Sequence, residues 1–315
     1  MTYDVCIIGG GAAGLTAGIF AARRGLTTII LTKDFGGQTA STAEIENYPG
    51  FGRVEGLDLM KTFLDNALSF GCAIVYEEAL SIQAVDGMYA CATAARTIEC
   101  LSVILAFGKT PKSLGVSNED VFFGKGLYYS AHDPEQFRDK TVVIVGGGNS
   151  AVQTAVRLST FAKKMYVVHR RDVFRAEKVL LSRLDSIFHI EQILNAHVTE
   201  LYGSDKLEGV RIEISDKAET KEWAVDAVIV HIGLESKTAL VEGLVDLAID
   251  KRIHINAVCE TSREGIFAAG DATTVPYQQI VISAGEGAKA AISAYTYVQK
   301  KKGLRALKVD WGFVG

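Results

Sequence analysis

The chain has 315 residues, 48% of them hydrophobic and 22% charged, a balance that suits a soluble globular protein built from two domains of about 100–150 residues each. Its net charge of -4 speaks against a general nucleic-acid binder, and no apolar run approaches the roughly 18–20 residues that a membrane span needs. The first residues enter a strand-like run without a basic leader or cleavage site, so the expected location is the cytoplasm.

Residues 3–8, Tyr-Asp-Val-Cys-Ile-Ile, read as a buried strand that runs into Gly9-Gly10-Gly11-Ala12-Ala13-Gly14. An alanine-rich helix to about Arg24 and a second strand, Thr27 to Leu31, follow. Residues 71–107 read as short antiparallel strands, such as Met88 to Ala92 and Thr97 to Glu99. Residues 141–145 then repeat the opening pattern and lead into Gly146-Gly147-Gly148-Asn149-Ser150-Ala151, a helix, and a strand from Met165 to His169. Val210 to Ile214 and Ala227 to Ile232 read as a second set of inserted strands. Gly265 to Asp271 looks like a strand ending in a tight turn, and Ser283 to Val298 like a helix.

The internal repeat decides the fold class. Each copy is a strand, a glycine loop, a helix and a strand, the frame in which a G-x-G-x-x-G pattern signals dinucleotide binding. The first glycine allows the tight turn, and the second lets the backbone approach a pyrophosphate. The third position, Gly14 or Ala151, must be small for the helix to pack on the strand. The fold is therefore expected to be α/β, with two Rossmann-like domains whose parallel sheets carry added antiparallel strands.

The strand of the second copy ends in His169-Arg170-Arg171-Asp172-Val173-Phe174-Arg175. A site for NAD would place a carboxylate there, whereas guanidinium forks suit a 2′-phosphate, so NADPH is the expected ligand. At the end of the first copy, Thr32, Lys33 and Asp34 all remain open as partners of the adenosine ribose. The cysteines are Cys6, Cys72, Cys91, Cys100 and Cys259, and none forms a C-x-x-C pair. Buried reduced thiols are expected, with no metal site and no local redox dithiol, and whether Cys91 meets Cys100 across a hairpin stays open.

Together these features resemble the low-molecular-weight thioredoxin reductase family over residues 3 to about 298. Gly36-Gly37-Gln38 with Glu44 to Phe51 is similar to the family's flavin-contacting segment, and Gly270-Asp271 with Gln279 and Ser283 to Gly287 to its C-terminal flavin motif. The resemblance implies an FAD domain of residues 1–112 and 248–315 with an NADPH domain, 113–247, inserted into it. Hinge crossings near Pro111–Leu114 and Gly243–Val245, and a homodimer, are implied as well.

For FAD it implies Gly9, Gly11, Ala12 and Gly14 at the pyrophosphate, and Gly37, Gln38 and Asn47 along the ribityl chain and ring. Gly270 and Asp271 would serve the ribityl chain, with Gln279 and Ile280 at the pyrimidine edge. For NADPH it implies Gly146, Gly148, Asn149 and Ser150, with His169, Arg170, Arg171 and Arg175 selecting the 2′-phosphate.

The sequence departs from the family at three places. Ile232 to Thr238 replaces a Pro-Asn-Thr segment, and Phe107 stands in an Ala-Thr-Gly turn. The redox C-A-T-C reads Ser130-Ala131-His132-Asp133, and neither a hydroxyl nor a carboxylate carries two electrons as a dithiol does. The expected activity is a ferredoxin- or flavodoxin-NADP reductase, with Trp311 or Phe313 stacked on the flavin. A basic end, formed by Lys289, Lys300, Lys301, Lys302, Arg305 and Lys308, would face an acidic carrier protein. The alternatives are an NAD(P)H oxidase or diaphorase using His132 and Asp133 in proton transfer, a reductase using an unconventional cysteine such as Cys259, or a nucleotide sensor.

Overall fold

A computed structural model describes residues 2–42 and 44–306; Lys308, Trp311 and Phe313 lie outside the described residues. The chain divides into two compact units, residues 1–110 with 236–315, and residues 111–235. The crossings thus fall at 110/111 and 235/236 instead of 112 and 248. Residues 236–247 join the first unit because Val241 and Val245 are buried in its core.

In the first unit, β1 (Tyr3–Ile8) is buried on both faces, as a central parallel strand must be, and leads into α1 (Ala12–Arg23). β2 (Thr28–Leu31), α2 (Gly37–Ala40), α3 (Gly56–Ser69) and β3 (Ala73–Val75) follow. β4 (Ser81–Val85) and β5 (Met88–Ala92) form a hairpin whose turn, Asp86-Gly87, has φ of 48° and 77°, the pair of positive values that suits twisted strands. β6 (Thr97–Leu105) outruns the expected Thr97 to Glu99, because its second half is buried on both faces and enters the sheet centre. The sheet order is β3-β2-β1-β6-β5-β4, with Ile266–Ala268 added along β6.

One face of this sheet packs Val5, Ile7 and Ile104 against α1, α3 and the helix Ile280–Lys301. The small residues of α1 have a purpose there. A Cβ on Gly287 would lie 2.1 Å from the Ala13 carbonyl oxygen, so the long helix touches α1 almost backbone to backbone. The other face buries Cys6, Ile8, Cys91, Cys100 and Val103.

The second unit has a five-stranded parallel sheet in the order Ile190–Ile193, Lys164–Val168, Thr141–Val145, Ala227–Val230, Leu127–Tyr128. Helix Asn149–Leu158 covers one side, and an antiparallel sheet of Ala196–Gly203, Leu207–Ile214 and Glu219–Ala224 forms separately. Val210 to Ile214 lies in that antiparallel sheet, but Ala227 to Ile232 does not. All of Ala227–Val230 is buried and pairs in parallel with Thr141–Val145, as its unbroken apolar run requires.

Candidate nucleotide-binding sites

The two glycine loops share their physical design. A Cβ on Gly9 (φ +115°) would lie 2.4 Å from the Ala106 oxygen, and one on Gly146 (φ +150°) 2.3 Å from the His231 oxygen. Both first glycines therefore lie against the neighbouring strand's backbone. The second glycines differ from them: a Cβ on Gly11 meets nothing closer than 3.9 Å, and one on Gly148 nothing within 4 Å. Each faces open space above a helix start with no acidic residue in its first turn and no side-chain cap. Free backbone N–H groups at the positive end of a helix fit a pyrophosphate at both loops. Gly14 is the strictest position, since its Cβ would lie 1.9 Å from the Gly9 oxygen.

Around the first loop the structure assembles the expected residues. Gly36 N donates to the Gly10 oxygen (3.1 Å), which seats Gly37 beside the loop. Gln38 Nε2 donates to the Lys109 oxygen (2.8 Å), and Asn47 Nδ2 to Gln279 Oε1 (3.0 Å). Asp271 follows Gly270 (φ +78°) and accepts from Ser283 Oγ at 3.1 Å. Burial raises its carboxyl above the usual range, opposed by the Ser283 hydroxyl and the Lys109 charge. Ile280 opens the long helix. Of the three ribose candidates, buried Thr32 is committed to the loop: its Oγ1 accepts from Gly10 N (3.0 Å) and donates to the Asp34 oxygen (2.6 Å). Lys33 pairs with Glu78 at 3.5 Å.

A cleft of about 600 Å³ in the same unit is lined by Lys109, Arg252, Tyr277, Gln279 and Ile282. Lys109 and Arg252 escaped the sequence reading because no motif marks them. Arg252 donates to Asp250 Oδ2 (2.7 Å) and to the Val275 oxygen (3.1 Å), which fixes this rim of the cleft. Phe107 is half-buried against the second core layer.

At the second loop, the His169 ring fills the space that a Cβ on Gly147 would need, 2.5 Å away, and stacks on Phe174 with centroids 5.5 Å apart. Burial, then Arg175, Arg171 and Arg170, hold the imidazole below its ordinary pKa. Its buried Nε2 has no hydrogen-bond partner, and the three exposed arginines form no ion pair among the described residues. An orphaned ring nitrogen beside three free guanidinium groups fits a phosphorylated ribose. The expected Asn149 is bound otherwise: its Nδ2 donates to Glu177 Oε1 (2.8 Å) and its Oδ1 accepts from Glu177 N (2.9 Å). Arg175 N donates to the Gly147 oxygen (2.6 Å), so the arginine segment is fastened to the glycine loop, while Ser150 stays exposed.

A family model described as pyridine nucleotide-disulphide oxidoreductase matches residues 3–289. The chain belongs to this family. Over 303 residues this oxidoreductase is 35% identical to a thioredoxin reductase of Mycolicibacterium smegmatis, covering 95% of this chain and 97% of that protein. It is also 35% identical to a component of the alkyl hydroperoxide reductase of Escherichia coli, covering 95% of this chain but 59% of that protein. The solved thioredoxin reductase of Lactococcus lactis (FR conformation) superposes with a TM-score of 0.82 at 31% identity, covering 95% of this chain and 100% of that one. The protein is thus an FAD-dependent NAD(P)H oxidoreductase of the thioredoxin reductase type, with FAD and NADPH as its cofactors.

The segment Ser130 to Asp133 belongs to the second unit. Asp133 Oδ1 accepts from Glu135 N (3.0 Å), capping the short helix Pro134–Phe137. His132 is exposed, yet desolvation of its ring by neighbouring atoms, and then the Arg157 charge, lower its pKa, which favours the neutral ring. Arg157 in turn donates to the Ala131 oxygen. Cys259 is buried, donates to Glu286 Oε2 (3.1 Å), and is pushed up to about 12 by burial and that carboxylate.

Proposed function

We propose that the first unit binds FAD and the second NADPH, and that electrons leave the flavin directly for an external acceptor, in the manner of a ferredoxin- or flavodoxin-NADP reductase. The cytoplasm and a homodimer are part of the same reading. The observation that carries it concerns sulfur: no two cysteines are spaced C-x-x-C, and all five are buried. A thiol that passes electrons to a protein disulfide needs exposure and thiolate character, and Cys259 has neither.

Bound FAD supplies a ring that takes up a hydride and gives electrons up singly or in pairs. The chain's own residues bind and orient. The N–H groups after Gly9 and Gly11, at Ala12 and Gly14, take the FAD pyrophosphate. Gly37, with Gln38 bonded to Lys109 and Asn47 bonded to Gln279, fixes the ring side, with Ile280 next to Gln279. Asp271, next to Gly270 and tied to Ser283, accepts from the ribityl hydroxyls. In the second unit Gly146, Gly148 and Ser150 receive the NADPH pyrophosphate, and Asn149 shapes that loop through Glu177. His169, Arg170, Arg171 and Arg175 hold the 2′-phosphate.

Relatives named thioredoxin reductase favour a second reading, in which thioredoxin is the acceptor. One assay separates the readings. Cytochrome c reduction by NADPH is followed with no carrier, with ferredoxin, with flavodoxin, and alongside thioredoxin-dependent disulfide reduction. Dependence on ferredoxin or flavodoxin is the expected result. Equal rates without a carrier would mark an oxidase or diaphorase, and turnover with thioredoxin would overturn the direct route.

A further inference from the structure

Cys6 on β1, Cys91 on β5 and Cys100 on β6 are each 0% exposed and lie in the same core layer of the first unit. Strand pairing brings them together. Cys91 lies opposite Ile98 and Cys100 opposite Tyr89, so the two are diagonal neighbours across the β5–β6 pair, while β1 flanks β6 on its other side. All three Sγ atoms fall within 4.8 Å of one another.

That spacing has a coordination meaning. A metal with sulfur bonds of about 2.3 Å at the centre of a sulfur triangle needs the sulfurs about 4.0 Å apart. The observed triangle can supply this by small side-chain rotations. Among the described residues, no histidine or carboxylate ligand atom joins the group. A closed zinc site takes four ligands, and a water offered as the fourth would sit among Ile8, Ile82, Ile98 and Val103 without polar partners. Three soft donors with no fourth suit a closed-shell, monovalent, thiophilic cation.

We infer that Cys6, Cys91 and Cys100 form a buried three-sulfur site for a soft monovalent cation of the Cu(I) class. Loading replaces S–H bonds by metal–sulfur bonds; the protons leave to solvent, the metal keeps its charge, and no electron moves. The cation reaches the site during folding or through opening of the edge hairpin, whose outer strand β4 is exposed over its last three residues. Cys72 packs in the opposite core layer, which makes it the internal control.

The test uses the flavin-loaded protein, produced in copper-supplemented cells and purified without air. It is then challenged with bathocuproine disulfonate, a Cu(I) chelator. Wild type and Cys72→Ala are expected to retain equimolar copper, and Cys91→Ala and Cys100→Ala to lose it while staying yellow. X-ray absorption of the wild type should report three sulfur neighbours. Copper-free wild type, equal retention in Cys91→Ala, or nitrogen and oxygen neighbours would overturn the site. The wild-type spectrum decides even if a variant fails to fold.

Discussion

Gly14 and Gly148 stand in equivalent loops, yet an added methyl group meets different surroundings at each. At Gly14 it runs into the Gly9 oxygen at 1.9 Å, which the backbone can relieve only by opening the loop against its strand. Gly14→Ala is expected to lose about 1–3 kcal/mol of stability and most of its bound flavin, read as a lower melting temperature and flavin-to-protein ratio. At Gly148 nothing lies within 4 Å, so Gly148→Ala should melt like wild type while raising the KM for NADPH about tenfold by filling the pyrophosphate space. The proposed 2′-phosphate site makes Arg170 and Arg171 the selectors of the coenzyme. Each lost charge-assisted bond is worth about 1.5–3 kcal/mol, so the double change to alanine should raise the KM for NADPH by roughly a hundredfold. The KM for NADH should hardly move; equal effects on both coenzymes would refute the assignment. His231 adds a pH dependence. Burial and then the Arg157 charge push it down to about 4, and its ring meets Thr154 Oγ1 at 3.0 Å. The unfolded chain therefore binds the proton more readily, and stability present above about pH 6.5 is lost as pH falls toward 4, by up to about 3 kcal/mol. His231→Asn should flatten the fall in melting temperature between about pH 7 and pH 4.5.

At the scale of elements, a clasp of three hydrogen bonds holds the arginine segment to the start of helix Asn149–Leu158. Asn149→Ala removes two of them. It is expected to raise the KM for NADPH several-fold, leave kcat at saturating coenzyme unchanged, and barely alter the melting temperature; a loss confined to kcat would exclude the clasp. No glycine pattern announces this contact, because it depends on a segment 28 residues away folding back onto the loop. The elements themselves were legible wherever local pattern and burial agreed. Tyr3–Ile8 and Met88–Ala92 are found as read, one a run buried beyond its first residue and the other part of a hairpin with an Asp-Gly turn. Ala227–Val230 was misplaced because a short apolar run does not state whether its partner is parallel. That choice is made by Thr141–Val145, far away in sequence.

For the whole molecule, the repeat revealed two nucleotide folds, since both glycine loops are local features with a mechanism. The boundary near residue 236 was hidden, because only packing against the first core reveals where Val241 and Val245 belong. The same holds for the basic end of the chain, whose charges look alike in sequence. In the structure Lys289 pairs with Glu286 (2.6 Å) and Lys302 with buried Asp4 (2.7 Å), while Lys300, Lys301 and Arg305 are exposed and form no ion pair among the described residues. Those unpaired charges are the ones best able to steer an acidic carrier. Screening shortens from about 30 Å to about 8 Å between about 0.01 and 0.15 M salt. At saturating NADPH, the KM for an acidic carrier should therefore climb several-fold over that range. Lys300→Glu with Lys301→Glu should remove most of the slope without changing anaerobic bleaching of the flavin by NADPH. A slope that survives this charge reversal would place carrier docking away from the end of the long helix.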